Sequence, residues 1–452
     1  MVHLLVQLSK YINIFLMLIY TFNCFSIFRH SDNKAKQKSI YALQRWLIFM
    51  INLSCFGVLY ITTKDRQIIG FYLMQLIILL AIIIMYHLLF KTASELVLNN
   101  MVMLLSIGLV ILARLSINKA VRQLVFLIAG FAIALIIPLV LRKISVFRKL
   151  TWVYAAVGIL SLLIVAVAGA TSYGAKLSIS IAGISIQPSE FVKIIFVFYI
   201  ASMLYNSTDL KQLAITSGVS AVFVLILVAS KDLGGALIYF FTYLVMIYVA
   251  TRKLYIFAGG IGFMSLAAVL GYNLFSHVQT RFIAWKDPLS VIDNQGYQIC
   301  QSLFAIGTGG WFGLGLNQGL PKKIPVVEND FIFSAISEEF GGIFALCIIM
   351  ICVSCFFMIF NISMQLKDSF YKMVALGLGS VYALQVFLTI GGVTKFIPST
   401  GVTLPLVSYG GSSLLSTMII FGIVQGLYIM QSKSQEGVAN GSKKQKENNQ
   451  KK

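Results

Sequence analysis

The stretch Gln67-Ile-Ile-Gly-Phe-Tyr-Leu-Met-Gln-Leu-Ile-Ile-Leu-Leu-Ala-Ile-Ile-Ile-Met-Tyr-His-Leu-Leu-Phe90 contains no Asp, Glu, Lys or Arg. At about 1.5 Å of rise per residue it is long enough, as a helix, to cross the ~30 Å apolar core of a bilayer. A second run, Gln123 to Leu141, is equally free of ionisable side chains. Working outward, all 452 residues share this character: 59% are hydrophobic and only 11% charged. Soluble domains carry roughly 45–50% and 25%. So few charges cannot cover a soluble globule of this size. The fold class is therefore an all-α integral membrane protein, a polytopic helical bundle in which each span satisfies its own backbone hydrogen bonds. Bulk disorder, a collagen-like repeat and a disulfide scaffold are excluded.

Allowing about 17–25 residues per crossing gives thirteen spans. They lie near 11–28, 46–63, 68–90, 101–113, 121–141, 151–170, 190–206, 212–229, 233–250, 254–275, 332–362, 373–394 and 408–430. The span at 101–113 is short. The first is read as retained, because no convincing cleavage site follows it. Basic residues cluster in alternate loops: Arg29, Lys34, Lys36, Lys38 and Arg45; Arg142, Lys143, Arg148 and Lys149; Arg252 and Lys253; Lys367 and Lys372; and the end beyond Lys433. With thirteen crossings these fall on one face, which the positive-inside rule makes cytoplasmic. Arg114, Lys119 and Arg122 are exceptions, placed outside by the same count. This distribution accounts for the net charge of +20 through membrane lipids, with no nucleic-acid partner. The tail, 431–452, reads as a disordered basic segment on the inner surface.

The six cysteines make no framework: Cys24, Cys55, Cys347, Cys352 and Cys355 lie in or beside apolar runs, Cys300 lies just after a polar loop, and Cys352-x-x-Cys355 inside a span reads as buried thiols rather than a metal or redox site. No phosphate-binding Gly-Lys loop, His-Glu-x-x-His zinc site or Gly-x-Ser-x-Gly elbow occurs. With four histidines, any chemistry rests on carboxylates, Lys, Arg, amides and hydroxyls. Such groups at membrane depth are costly and mark a site or a structural pair.

Three polar segments face outward by this topology. Ser185-Ile-Gln-Pro-Ser-Glu-Phe-Val-Lys193 places Pro188 in a first helical turn and Glu190 three residues before Lys193, where they can pair. A plain structural ion pair explains this as well as a functional one. The long loop 276–331 carries Arg281-Phe-Ile-Ala-Trp-Lys-Asp-Pro288, Gly296-Tyr-Gln-Ile-Cys-Gln301, Gly307-Thr-Gly-Gly-Trp-Phe-Gly-Leu-Gly315 and Ile324-Pro-Val-Val-Glu-Asn-Asp-Phe-Ile-Phe333. Asp330 stands where this loop enters a helix, a position that also suits a cap. Pro398-Ser-Thr-Gly-Val-Thr-Leu-Pro-Leu-Val-Ser-Tyr-Gly-Gly-Ser-Ser413 has the small, hydroxylic residues that permit irregular backbone beside a cavity.

Taken together and in this order, the Gln-Pro-Ser-Glu, Asp-Leu-Gly, Asp-Phe-Ile-Phe and Pro-Leu-x-Ser-Tyr-Gly-Gly-Ser-Ser segments make the chain resemble the SEDS family, the FtsW/RodA/SpoVE-like peptidoglycan glycosyltransferases. The resemblance covers about 100–430, a ten-span catalytic core. About three extra N-terminal spans, 1–99, carry no matched motif, and their polar residues lie mostly in loops. Val326 and Asn329 stand where the family often has Glu and Thr, Leu177-Ser178 where it has Arg-Trp, and Gly235 where it has Thr.

The resemblance implies glycan-strand polymerisation from lipid II on the outer face of the cell membrane, for division, elongation or sporulation. It further implies that Asp330 is the catalytic carboxylate, that Glu190 and Lys193 pair beside a central cavity, and that a class B penicillin-binding protein transpeptidase is the partner. A carboxylate can take the proton of an attacking sugar hydroxyl. The leaving pyrophosphate calls for positive charge from Arg281, Lys193, Lys395 or a divalent cation, Mg2+ or Mn2+. Arg281 suits phosphate best through its planar fork. Arg281, Gln298, Lys395 and Ser408 are the substrate-binding candidates. The competing reading is a lipid II flippase that makes no bond; a third is a scaffold whose loops only recruit a partner.

Overall fold

The computed structural model describes residues 2–30, 33–141, 145–172, 175–181, 184–205 and 207–450. Thirteen long helices correspond one to one with the expected spans: α1 (Val2–Arg29), α2 (Lys34–Thr63), α3 (Arg66–Leu89), α4 (Glu95–Leu115), α5 (Ile117–Leu141), α6 (Thr151–Ala168), α7 (Pro188–Leu204), α8 (Leu210–Ala229), α9 (Leu233–Thr251), α10 (Leu254–Leu274), α13 (Ile332–Gln365), α14 (Ser369–Val393) and α15 (Gly411–Gln450). Between them, α11 (Ser276–Lys286) and α12 (Tyr297–Gly309) order much of the loop 276–331. Twelve of the helices are long and apolar enough to cross a membrane, and α7, with 17 residues, completes the set. This is a multi-pass membrane protein.

The polar segment before α7 is not helical. It forms a small antiparallel meander, β1 (Ala170–Ser172), β2 (Ala175–Ile181) and β3 (Ile184–Ile186). Alternating Ser and Ile in Ser178-Ile-Ser-Ile181 suits a strand with one wet face. These are the strands found among the described residues.

The short span at 101–113 is in fact 21 residues long and lies at the centre of the bundle, α4, with every residue of its apolar stretch buried. Asn99 and Asn100 lie within this helix, before the expected start at 101. Both are fully buried inside the helix and hydrogen-bonded. Asn99 donates to Gln44 of α2 at 3.0 Å, and Asn100 accepts from Tyr20 of α1 at 3.0 Å and donates to Ser354 of α13 at 3.2 Å. Asn52 likewise donates to Ser106 at 2.6 Å and accepts from Gln75 of α3 at 2.7 Å. The polar residues of 1–99 are therefore not confined to loops. They fasten α1 and α2 to α4 and α3 to α2, as interhelical hydrogen bonds do in an apolar solvent.

Two of the three basic residues that the count set apart have partners. Arg114 pairs with Glu339 at 3.0 Å, and Lys119 pairs with Glu328. Each of these two charges is thereby neutralised locally. On the far side α5 lies along α15, and the two backbones come close at Gly422, where a Cβ would stand 3.0 Å from the Ala134 Cα. By contrast α10 has no buried residue and stands at the periphery. The membrane-length part of α15 ends at Ser432. Its backbone continues as helix through the stretch whose composition read as disorder, and Lys, Gln and Glu are good helix formers.

Candidate functional site

The loops at one end of the bundle converge. Helix α11 presents Arg281 and Trp285, four residues apart and so on one face. The Arg281 Nη1 donates to the Ser399 carbonyl at 3.2 Å, and the Trp285 Nε1 donates to the Lys395 carbonyl at 3.1 Å. This pins α11 onto the turn that follows α14, where Lys395 has φ +60° and Gly401 φ +74°.

The segment leading to Asp330 is held from two sides. Gln298 of α12 donates to the Pro325 carbonyl at 3.0 Å, and the Tyr409 N–H donates to the Glu328 carbonyl at 2.8 Å. Lys119, already paired with Glu328, lies 5.9 Å from the centre of the Tyr409 ring. Val326 has φ +49°, a strained conformation for a β-branched residue. It occupies the place where the resembling family often has Glu.

Asp330 is not a cap. The residue before α13 is Phe331, with no side-chain capping bond. Among the described residues the half-buried Asp330 carboxylate accepts no hydrogen bond and has no ion pair. It stands beside Gly401, where a Cβ would lie 3.6 Å from both the Asp330 Oδ2 and the Arg281 Nη2. Burial pushes the Asp330 carboxyl up to about 6, although the nearby Arg281 charge favours ionisation. Arg281 is in turn lowered by burial and raised by two carboxylates, Asp330 and Asp232.

Asp232 caps α9, accepting from the Gly235 N–H at 2.9 Å and from the Ser189 hydroxyl at 3.2 Å. Burial holds its carboxyl above the ordinary range. Ser189 is tied from its other end, since Tyr239 donates to its carbonyl at 2.8 Å.

Glu190 and Lys193 do pair, at 2.5 Å, and the Lys193 side chain is 3% exposed. They belong to a wider network. Lys193 also donates to Gln385 of α14 at 2.8 Å, and Ser416 of α15 donates to Glu190 at 2.9 Å. Gln385 donates to the Thr403 carbonyl and to Ser413, both at 3.2 Å. Three helices and the turn before α15 are thereby locked together.

Of the sequence candidates, Asp330 and Arg281 stand together, and Gln298 and the Lys395 backbone hold the segments that carry them. Ser408 is different. It is 4% exposed, its hydroxyl accepts the Leu404 N–H at 2.9 Å, and its carbonyl accepts from Gln123 at 3.0 Å. Its side chain shapes the turn. Sequence reasoning missed Gln385 and the Lys119–Glu328 pair. A lone amide within an apolar span was the available signal for Gln385.

The sequence profile of the FtsW/RodA/SpoVE family of cell cycle proteins matches residues 86–433. The peptidoglycan glycosyltransferase RodA of Mycobacterium tuberculosis is 36% identical over 267 residues, 56% of this chain; the match spans 57% of that relative's length. The RodA of Mycobacterium leprae is 32% identical over 357 residues, 73% of this chain and 77% of its own. A chain from a structure described as "Structural coordination of polymerization and crosslinking by a peptidoglycan synthase complex" has the same fold, with TM-score 0.61 and 22% identity over 75% of this chain and 98% of that one. The match starts before α4 and runs into α15, so Asp330, Arg281, Glu190 and Lys193 all fall within it; the chain belongs to the FtsW/RodA/SpoVE family.

Proposed function

We propose that this protein is a peptidoglycan glycosyltransferase that polymerises lipid II on the outer face of the cell membrane. The observation that carries this reading is the unpaired Asp330 carboxylate beside the Arg281 guanidinium at Gly401. A sugar hydroxyl of the acceptor attacks the anomeric carbon of the lipid-linked donor. The bond from that carbon to the pyrophosphate oxygen breaks, the configuration inverts, and the hydroxyl proton passes to Asp330. A carboxylate whose pKa is raised to about 6 stays largely ionised at neutral pH and is a better base than an ordinary one. Arg281 meets the charge that develops on the pyrophosphate, its fork matching phosphate oxygens.

Among the described residues no three His, Cys, Asp or Glu side chains gather into a metal cluster. A hard cation shared with substrate phosphates needs only one or two carboxylates, and Asp330 offers one. Bound there, Mg2+ or Mn2+ would neutralise pyrophosphate charge. A class B penicillin-binding protein is the proposed partner, in keeping with the polymerisation and crosslinking named for the structural relative.

The test is purified protein in detergent or vesicles with lipid II and no second transferase. Lengthening glycan chains support the proposal. Movement of lipid II between leaflets without chain growth would favour the flippase.

A further inference from the structure

Helix α13 is broken near its start. Gly341 has φ +87°, outside the helical range. In an unbroken helix the Glu338 and Glu339 carbonyls would accept from the N–H groups four residues on, those of Gly342 and Ile343. Instead the strip Gly310–Gly315 inserts. Gly342 N–H donates to the Gly310 carbonyl at 2.8 Å and Ile343 N–H to the Trp311 carbonyl at 3.2 Å. The Leu314 and Gly315 N–H groups donate to the freed Glu338 and Glu339 carbonyls, at 3.0 and 2.9 Å. The glycines make this approach possible: a Cβ on Gly313 would lie 2.4 Å from the Glu339 carbonyl oxygen.

The strip leaves the Gly313 and Leu314 carbonyls on its other side, and α1 takes both. Lys10 donates to the Gly313 carbonyl at 3.1 Å, and Gln7 to the Leu314 carbonyl at 3.4 Å. The Tyr11 and Phe312 rings are 5.7 Å apart, and a Cβ on Gly315 would meet Val6 at 2.7 Å. Asn317 reaches Thr62 at the end of α2 at 3.0 Å. Lys10 and Gln7 thus supply the donors that two otherwise exposed carbonyls need.

We propose that Lys10 and Gln7 are positioning residues for the catalytic loop, and that the N-terminal helices are part of the glycosyl-transfer machine rather than an appendage. The mechanical link is short. Residues 332–340 form a helical rod with Asp330 just before one end and the inserted strip at the other. Fixing the strip fixes the rod, and the rod aims the carboxylate. This rests on the polymerase reading, but its structural half can be measured without it.

The experiment uses the full-length chain with Lys10→Met, Lys10→Arg and the Gln7→Leu/Lys10→Met pair. Amide hydrogen exchange across 310–320 and 338–343 is followed beside lipid II polymerisation. We expect Lys10→Met to speed exchange in both segments by about tenfold, with more in the double variant, as loss of a charged donor implies. The kcat should fall by a similar factor with KM little changed, and Lys10→Arg should restore both. Unchanged exchange in the double variant overturns the brace. Faster exchange with unaltered kcat overturns the positioning role. Wild-type protein that makes no glycan sinks the polymerase reading, while the exchange arm still decides the brace.

Discussion

The Arg281 Nη2 and the Asp330 Oδ2 each stand 3.6 Å from the point where a Cβ on Gly401 would lie, yet no ion pair within 4.0 Å joins these two residues. They face the same small volume from different elements, α11 and the entrance to α13. A closed pair would spend the carboxylate on the guanidinium. The gap leaves one group free to take a proton and the other free to meet an anion.

Replacing Asp330 with Asn should therefore abolish polymerisation with the fold intact. The amide fills the same space but cannot accept the proton. In the wild-type protein kcat/KM should fall as pH drops through about 6, where burial has placed this carboxyl. The stability sign runs the other way. A carboxyl raised in the folded state adds stability when protonated, fully present below its unfolded value and lost as pH rises through about 6. At pH 7.5 the Asn variant should melt no lower than wild type, and any advantage should vanish near pH 4. Near-normal glycan synthesis by this variant would move Asp330 out of the chemistry.

Gly401→Ala tests the shared volume directly. The added methyl meets Arg281 and Asp330 at ordinary contact distance, but φ is +74°, which costs an alanine about 1 kcal/mol. We expect a small loss of thermal stability and a larger loss of kcat/KM. Activity that falls no further than stability explains would mean the volume is not where reacting groups meet.

How much of this was legible in the sequence depends on the kind of contact. Span positions followed from hydropathy alone, and Glu190 and Lys193 from helical spacing. Asp330 and Arg281 were singled out by residue chemistry and motif. That they meet at Gly401 depends on α11 docking through Trp285, which no local pattern reports. The same holds for the buried amides of α1, α2 and α3. Gln44, Asn52 and Gln75 read as interruptions in apolar runs until their partners on α4 and one another are placed. The glycines at 307–315 were visible, but a strip entering a broken helix has no one-dimensional signature.

The Glu190–Lys193 pair should behave as one unit with Gln385 and Ser416. Lys193→Met leaves the Glu190 charge with only the Ser416 hydroxyl, and Glu190→Gln leaves the buried ammonium with only amides. Each single change should cost about 3–5 kcal/mol, and the double change should recover much of it. Thermal unfolding in detergent supplies all four corners of the cycle. Simple additivity would mean that the pair is not coupled.

Arg114 gives the sharpest test of fork geometry. Its Nε donates to the Glu339 carboxylate at 3.0 Å, and its Nη2 donates to the Gly319 carbonyl at 3.1 Å. Glu339 is fully buried, and the neighbouring Glu338 is already engaged by the Leu320 N–H at 2.9 Å. A lysine keeps the charge but carries it on one nitrogen, so it cannot span a carboxylate and a carbonyl in this planar arrangement. We expect Arg114→Lys to lower the detergent melting midpoint clearly, and Arg114→Leu to lower it further because the Glu339 charge is then unpaired at depth. Amide exchange at 319–320 should rise in both variants, since both lose the bond to Gly319. If lysine matches arginine in both measurements, charge alone holds this loop and the fork contributes nothing.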